Sequence, residues 1–372
     1  MKVPYFQPWI SENDKANVLK SLKNRWLTNG PFLSKFESNF KHYVNSKYAL
    51  GVGSATHALH LAIRTLGIGP GDEVIVPTFT FAASANSVLY CGAKVILVDI
   101  DPETFTISID SIQKHISKKT KAIIPVHYGG QSCDMDKLTS LAKSKNLFVV
   151  EDCAHALGSK FGKLMCGTIG EMGCFSFYPT KVITTGEGGM ITTNKNTYYK
   201  KMKQLRSQGM DISPNQREKL LKWKYDIVDL GYNYRLDEIR SSLGVSQLNR
   251  INKINSMRIK IAKEYNKLLK NTKGISLPVV KSNRNHIFHL YSIKIEKEYH
   301  LTRDELFVKL SKKNIGTSVQ YFPLHLMSYN KNKYTKSNFP NANKIKDQIL
   351  CLPIFPTMTQ KQIEYVASNL AN

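Results

Sequence analysis

Leu147-Phe148-Val149-Val150-Glu151-Asp152-Cys153-Ala154-His155-Ala156 is an apolar run that ends abruptly in two carboxylates. A continuous apolar stretch of this length, bounded by polar residues, predicts a strand over Leu147–Glu151 that is buried on both faces, as in a parallel sheet covered by helices. Working outward, short runs of the same kind recur at Tyr48–Val52, Glu73–Pro77, Lys94–Val98, Ala122–Val126, Cys174–Phe177 and Met190–Thr193, most with helix-like sequence between them. Together they predict an α/β fold with a mainly parallel sheet about seven strands wide between helices. Gly69-Pro70-Gly71-Asp72 and Gly129-Gly130 mark turns in this series. After Gly244 the pattern changes to a long basic helix from about Val245 to Leu269, a strand at Phe288–Ile295, a helix at Arg303–Lys312, a Pro-rich segment and a last helix from about Gln360. The expected division is an N-terminal arm and large domain over residues 1–244, then a linking helix and a smaller C-terminal α+β domain over 245–372.

Composition narrows the function classes. The chain has 372 residues, 42% hydrophobic and 22% charged, an ordinary globular make-up for about two domains. No apolar run approaches the roughly 18–20 residues of a membrane span, and Met1–Pro8 lacks the apolar core of a signal peptide. The expectation is a soluble, cytoplasmic protein with no membrane partner. Cys91, Cys133, Cys153, Cys166, Cys174 and Cys351 form no C-x-x-C pair and no metal-ligand spacing, and read as free thiols with no metal. The net charge of +25 is spread along the chain rather than packed in one arm. Asn249–Lys273, for example, interleaves lysine with asparagine and isoleucine at helical spacing, as a solvated helix face does. A genome rich in Lys, Asn and Ile codons accounts for this charge, and so does a general attraction for phosphorylated substrates. No nucleic-acid motif accompanies it, so nucleic acid is not an expected partner.

Three stretches carry chemistry. In Ser176-Phe177-Tyr178-Pro179-Thr180-Lys181-Val182-Ile183-Thr184-Thr185-Gly186-Glu187-Gly188-Gly189, a lysine sits just past a buried strand end, between a proline turn and a glycine cluster. It is either an ordinary loop lysine or one with a covalent role. Glu151 and Asp152 stand at the C-terminal end of a parallel strand, where ligands of open α/β sheets gather. An acid there serves as a helix cap, a metal ligand or the partner of a protonated heterocycle. Gly51-Val52-Gly53-Ser54-Ala55-Thr56-His57 runs from strand through a small-residue turn into a helix start. It reads as a plain connection or as a phosphate site built from free N–H groups and the helix dipole. It is not a G-x-G-x-x-G and has no Walker lysine. Taken together, the three stretches supply what pyridoxal phosphate needs: a lysine for the Schiff base, an acid to keep the ring nitrogen protonated, and an N–H cradle for the phosphate. Phe81, after a strand, is placed to cover the ring, its alternative being a core position.

On these residues the chain resembles the DegT/DnrJ/EryC1/StrS sugar aminotransferases, a family of fold-type I pyridoxal-phosphate enzymes. The resemblance covers nearly the whole chain. It runs from Trp26-Leu27-Thr28-Asn29-Gly30-Pro31 through Gly71-Asp72-Glu73-Val74-Ile75-Val76-Pro77, Pro125-Val126-His127-Tyr128-Gly129-Gly130-Gln131 and the lysine loop. It continues in Gly231-Tyr232-Asn233-Tyr234-Arg235-Leu236-Asp237-Glu238, Tyr321-Phe322-Pro323-Leu324-His325 and Leu352-Pro353-Ile354-Phe355-Pro356. The resemblance implies that Lys181 bonds the coenzyme and shuttles the proton, Asp152 pairs with the pyridinium nitrogen, and His155 contacts the ring near its hydroxyl. Ser176, Thr56 and the N–H groups of Ala55 and His57 would hold the phosphate. Asn233 and Arg235 would reach the phosphate region of a neighbouring subunit, implying a homodimer with shared active sites. His325 and Tyr321 lie in a segment that approaches the active site in relatives, and either a substrate contact or a structural role is open for His325.

Two departures stand out. Ala55 replaces the glycine of the family's Ser-Gly-Thr, and alanine does not tolerate a positive φ. Tyr178 stands where many relatives have histidine. Lys181 itself occupies the position that is histidine in the family's dehydratase branch, which favours transamination. The activity implied is transfer of an amino group from L-glutamate to a nucleotide-linked keto sugar, preferably a 4-keto-6-deoxy hexose, with pyridoxamine 5'-phosphate as the intermediate form. The amino sugar would feed a polysaccharide or a glycan. Alternatives are amination of a free cyclitol or other cyclic ketone, and a regulatory binding protein on the same fold.

Overall fold

The computed structural model describes residues 1–24, 26–212, 223–330 and 333–371. Among the described residues, nine strands lie in the first two thirds of the chain: β1 (Tyr48–Val52), β2 (Glu73–Pro77), β3 (Lys94–Val98), β4 (Thr120–Ile123), β5 (Phe148–Asp152), β6 (Lys160–Phe161), β7 (Leu164–Met165), β8 (Met172–Ser176) and β9 (Gly189–Thr193). Seven of them form one sheet in the order β1-β9-β8-β5-β4-β2-β3. Only β9 runs against its neighbours; the β8-β5-β4-β2-β3 series is parallel throughout. Every residue of β2 and of β9 is buried, as expected of strands with helices on both faces. The helix Ala55–Thr65 buries Ala58, Leu59, Leu61, Ala62 and Ile63 against the sheet, and Glu12–Lys23 and Pro31–Val44 pack beside Glu238–Leu248.

Four more strands follow: β10 (Ile275–Ser276), β11 (Arg284–Asn285), β12 (Tyr291–Ile295) and β13 (Ile349–Leu352). β10, β12 and β13 make a second, antiparallel sheet, covered by the helices Arg303–Lys312 and Gln360–Ala371 at the expected positions. Packing does not follow chain order strictly. Val3 joins the C-terminal core, whereas Leu324, Phe339, Ala342 and Ile345 pack into the core of the large sheet.

Several expected boundaries move, each for a visible reason. β4 stops at Ile123 rather than Val126, because Pro125 has no N–H to donate to a ladder. The expected long helix from Val245 is two helices, Glu238–Leu248 and Ile251–Leu269. The break falls at Arg250, whose backbone leaves the helical region (φ −108°, ψ 4°) while its guanidinium lies over the Trp9 ring at 4.4 Å and ion-pairs with Asp14. The strand expected from Phe288 begins at Tyr291, since Phe288 is left-handed at φ 51°.

A distant carboxylate fixes the N-terminal motif. The helix Pro31–Val44 has no side-chain cap of its own. Buried Glu238 instead accepts the N–H groups of Gly30 (3.0 Å), Phe32 (2.8 Å) and Leu33 (2.8 Å), satisfying donors that a helix start leaves free and placing a negative charge at the positive end of the dipole. Glycine is required at position 30, where a Cβ would lie 2.7–2.8 Å from Trp26 and Glu238. Replacing Glu238 by alanine leaves three N–H groups without this partner, two of them buried. The expected loss is about 3 kcal/mol, read in urea as a lower midpoint with an unchanged slope; an unchanged midpoint would show that the cap contributes nothing.

Candidate active site

The C-terminal ends of β1, β2, β5 and β8 open on one edge of the sheet. Period-two alternation at the end of β5 sends its two acids to opposite sides. Asp152 is 5% exposed. Its Oδ2 accepts the Ser84 hydroxyl at 2.7 Å, and its Oδ1 accepts the Ala154 N–H at 3.1 Å. Burial pushes its pKa up, opposed by these bonds and by the Lys181 charge. Glu151 turns into the structure. It faces His127 Nε2 at 2.9 Å and accepts the N–H groups of Gly167, Ile169 and Gly170 at 2.7–2.8 Å. His127, Glu151 and Cys153 lie close enough together to suggest a metal site. However, His127 Nδ1 accepts the Cys133 N–H at 3.1 Å, so its other nitrogen donates to Glu151 and no lone pair is left for an ion.

Lys181 follows β8 in a turn closed by its N–H on the Tyr178 carbonyl at 2.8 Å. Desolvation lowers its pKa from 10.5 to about 8, with Asp152 acting in the other direction. A half-buried amine and a buried carboxylate thus lie near enough to shift each other's ionisation, an arrangement that marks functional sites more often than structural ones.

The phosphate region is assembled by the sheet. Ser176 pairs with Gly189 across β8 and β9, and Gly189 touches Ser54 and Ala55 so closely that a Cβ there would lie 2.5 Å from the Ser54 carbonyl carbon. Ser176 is thereby set beside the start of the helix Ala55–Thr65. Ser54 caps that helix by accepting the His57 N–H at 3.1 Å. The expected donor at His57 is therefore already engaged, and its ring stacks on Tyr234 at 3.7 Å. The N–H groups of Ala55 and Thr56, in the first turn, have no intrahelical acceptor. Ala55 is not among the residues with positive φ, so alanine replaces the family's glycine without strain.

His155 is buried at 4% exposure. It accepts the Gly129 N–H on Nδ1 (3.3 Å) and meets the Tyr321 hydroxyl at Nε2 (3.0 Å). The Tyr321 and His155 rings are nearly parallel, 5.9 Å apart, and the His289 ring lies 4.4 Å from that of His155. Burial and Lys181 keep His155 neutral. Phe81 is not a core residue: 63% exposed, it stands 6.2 Å from the Tyr321 ring. Asn233 and Arg235 lie on an extended run that bridges Ser207 and the β1 residue Val52, with the Tyr234 carbonyl accepting the Gly53 N–H at 3.0 Å. Their side chains have no hydrogen-bond or ion-pair partner among the described residues.

His325 is placed differently from the rest. Its ring nitrogens are taken by Thr78 (2.7 Å) and Asn343 (3.1 Å), and it stacks on Phe339 at 4.0 Å. These contacts tie its turn to the end of β2, and nothing is left for a substrate. Ser84 and His289 went unnoticed in the sequence, because no local pattern marks a serine or histidine that tertiary packing brings to the site.

The residues fit pyridoxal phosphate: a desolvated amine, a buried acid facing the same space, and two free N–H groups beside a serine hydroxyl. The comparisons agree. The DegT/DnrJ/EryC1/StrS aminotransferase family model matches residues 8–371. A GDP-perosamine synthase of Escherichia coli O157:H7 is 38% identical over 370 residues, 99% of this chain and 97% of that one. A Streptococcus pneumoniae protein assigned as a sugar aminotransferase, solved in its PMP form, superposes with a TM-score of 0.93 at 30% identity, over 100% of this chain and 98% of the other. Helicobacter pylori PseC, an aminotransferase involved in the biosynthesis of pseudoaminic acid, gives 0.93 at 27% identity with the same coverage. The chain belongs to the DegT/DnrJ/EryC1/StrS aminotransferase family and is a pyridoxal-phosphate-dependent aminotransferase of fold-type I.

Proposed function

We propose that this enzyme moves an amino group from L-glutamate to a nucleotide-linked keto sugar, a 4-keto-6-deoxy hexose by preference, in the cytoplasm and as a homodimer. The Lys181–Asp152 pair carries the amino-transfer part of this reading. Likeness over nearly the full length to a GDP-perosamine synthase supports the nucleotide-sugar part.

Bound pyridoxal phosphate supplies an aldehyde carbon that accepts an amine and a ring that accepts electrons. Lys181 would bond that carbon, and once displaced by the donor amine it would carry the proton between the donor Cα and C4′. With a pKa of about 8, it is part neutral at physiological pH, as both tasks require. Asp152 would hold the ring nitrogen protonated; a cation there also relieves the cost of its own burial. Ser176, Ala55 N–H and Thr56 N–H would bind the phosphate, His155 would orient the ring through its hydroxyl, and Phe81 would shield the outer face. Asn233 and Arg235 would complete the phosphate site of the neighbouring subunit. Exposed Leu27, Ile227, Val228 and Leu230 supply apolar surface for that contact.

Four outcomes are expected. Mass spectrometry of mixtures containing glutamate and GDP-, UDP- or dTDP-linked keto sugars should find an amino sugar nucleotide; no turnover with any of them, but amination of a free keto cyclitol, would reverse the substrate assignment. Asp152→Asn should lower turnover by roughly 10²-fold or more, and wild-type turnover would remove the acid from the mechanism. Capture of pyridoxal phosphate by cofactor-free protein needs the unprotonated amine. Its rate should therefore rise roughly tenfold per pH unit below pH 8 and level off above it; a flat profile from pH 6 to 9 would contradict the depressed pKa. Finally, mixing the inactive Lys181→Ala variant with an inactive Asn233→Ala/Arg235→Ala variant should restore about a quarter of wild-type activity, because half of the randomly mixed dimers then hold one intact site. No restoration would place each site within a single chain.

A further inference from the structure

The outer edge of the large sheet carries a second cleft. It has a volume of about 540 Å³ and lies between the helices Pro31–Val44 and Asn196–Arg206, over the first half of β1. Among the described residues, Lys41, Lys47, Lys203 and Arg206 line it, against a single carboxylate, Glu37. That carboxylate is spent: its Oε1 accepts Arg206 Nη1 and the Gly51 N–H, each at 2.8 Å. The three ammonium groups have no ion-pair partner among the described residues. Arg206, 5% exposed, belongs to the wall, its Nη1 donating to Glu37 and to the Gly51 carbonyl (2.7 Å), so the free positive charge facing the cleft is that of the three lysines. One wall is aromatic, where Tyr48 and Tyr199 stack at 4.8 Å and 18°.

We infer that this cleft is a second ligand site, separate from the active site, that takes a nucleoside diphosphate. The excess positive charge suits a diphosphate, the tyrosine pair offers a face for the base, and the volume is that of a small-molecule pocket. It sits beside the start of β1, whereas the phosphate region of the active site follows the end of that strand, about 13 Å further along at the usual rise per residue. The inference does not depend on the sugar substrate.

Calorimetric titration of the pyridoxal-phosphate-loaded enzyme with GDP tests it, with guanosine and inorganic pyrophosphate as comparison ligands. In the Lys41→Glu/Lys203→Glu variant the GDP stoichiometry should fall by one per chain, that site weakening at least tenfold. Cofactor absorbance and thermal midpoint should match wild type, and Lys118→Glu/Lys119→Glu, with the same charge change elsewhere, should bind as wild type does. If the active site also binds GDP, the count falls from two to one; if it does not, from one to none. Guanosine and pyrophosphate should each bind more weakly than GDP at this site. Unaltered GDP binding in the cleft variant, equal loss in the control variant, or guanosine or pyrophosphate binding as tightly as GDP would each overturn the assignment.

Discussion

The arrangement turns on a half-buried ammonium and a buried carboxylate that act on each other at one edge of the sheet. Burying either charge alone costs several kcal/mol, and their attraction offsets that only in part. Lys181 accordingly loses its proton near pH 8, and the pKa of Asp152 is raised. The pair is not a stabilising salt bridge in the ordinary sense. The surrounding sheet imposes this electrostatic cost, and a cationic heterocycle bonded to the amine would relieve both halves of it.

The sheet imposes that state through register. Asp152 lies opposite Cys174 on β8, so the acid and the strand that delivers the lysine loop are hydrogen-bonded neighbours. β9 then turns back against β8 and brings Gly189 onto Ser54, which carries the start of a helix to Ser176. Three sequence-distant pieces thus meet because adjacent strands end at one edge. Two other buried acids serve the frame: Glu151 and Glu238 collect three main-chain N–H groups each. One secures the loop beneath the site and the other the N-terminal motif.

Much of this was legible in the sequence, because strands buried on both faces announce themselves as short apolar runs: β1, β2 and β3 fall at their expected residues. Boundaries failed where a non-local interaction intervened, as at Arg250, where a cation–π contact and an ion pair to the N-terminal arm split one amphipathic pattern into two helices. At the site, the lysine, the acid and the helix start were legible because each breaks a local pattern. Ser84 on Asp152 and His289 beside His155 were not, since each arrives from a separate segment; Tyr321 was placed near the site, but its bond to His155 was not foreseen. His57 and His325 show the converse, as a motif position does not reveal that a cap has already used an N–H group or that two neighbours have used both ring nitrogens.

Lys181, among many lysines, is the residue proposed to bond the coenzyme. Borohydride reduction of the pyridoxal-phosphate-loaded enzyme, followed by digestion and peptide mass spectrometry, tests it directly. A single phosphopyridoxyl group is expected, on the peptide containing Lys181. Attachment to a different lysine, or no attachment under conditions where the enzyme is active, would contradict it.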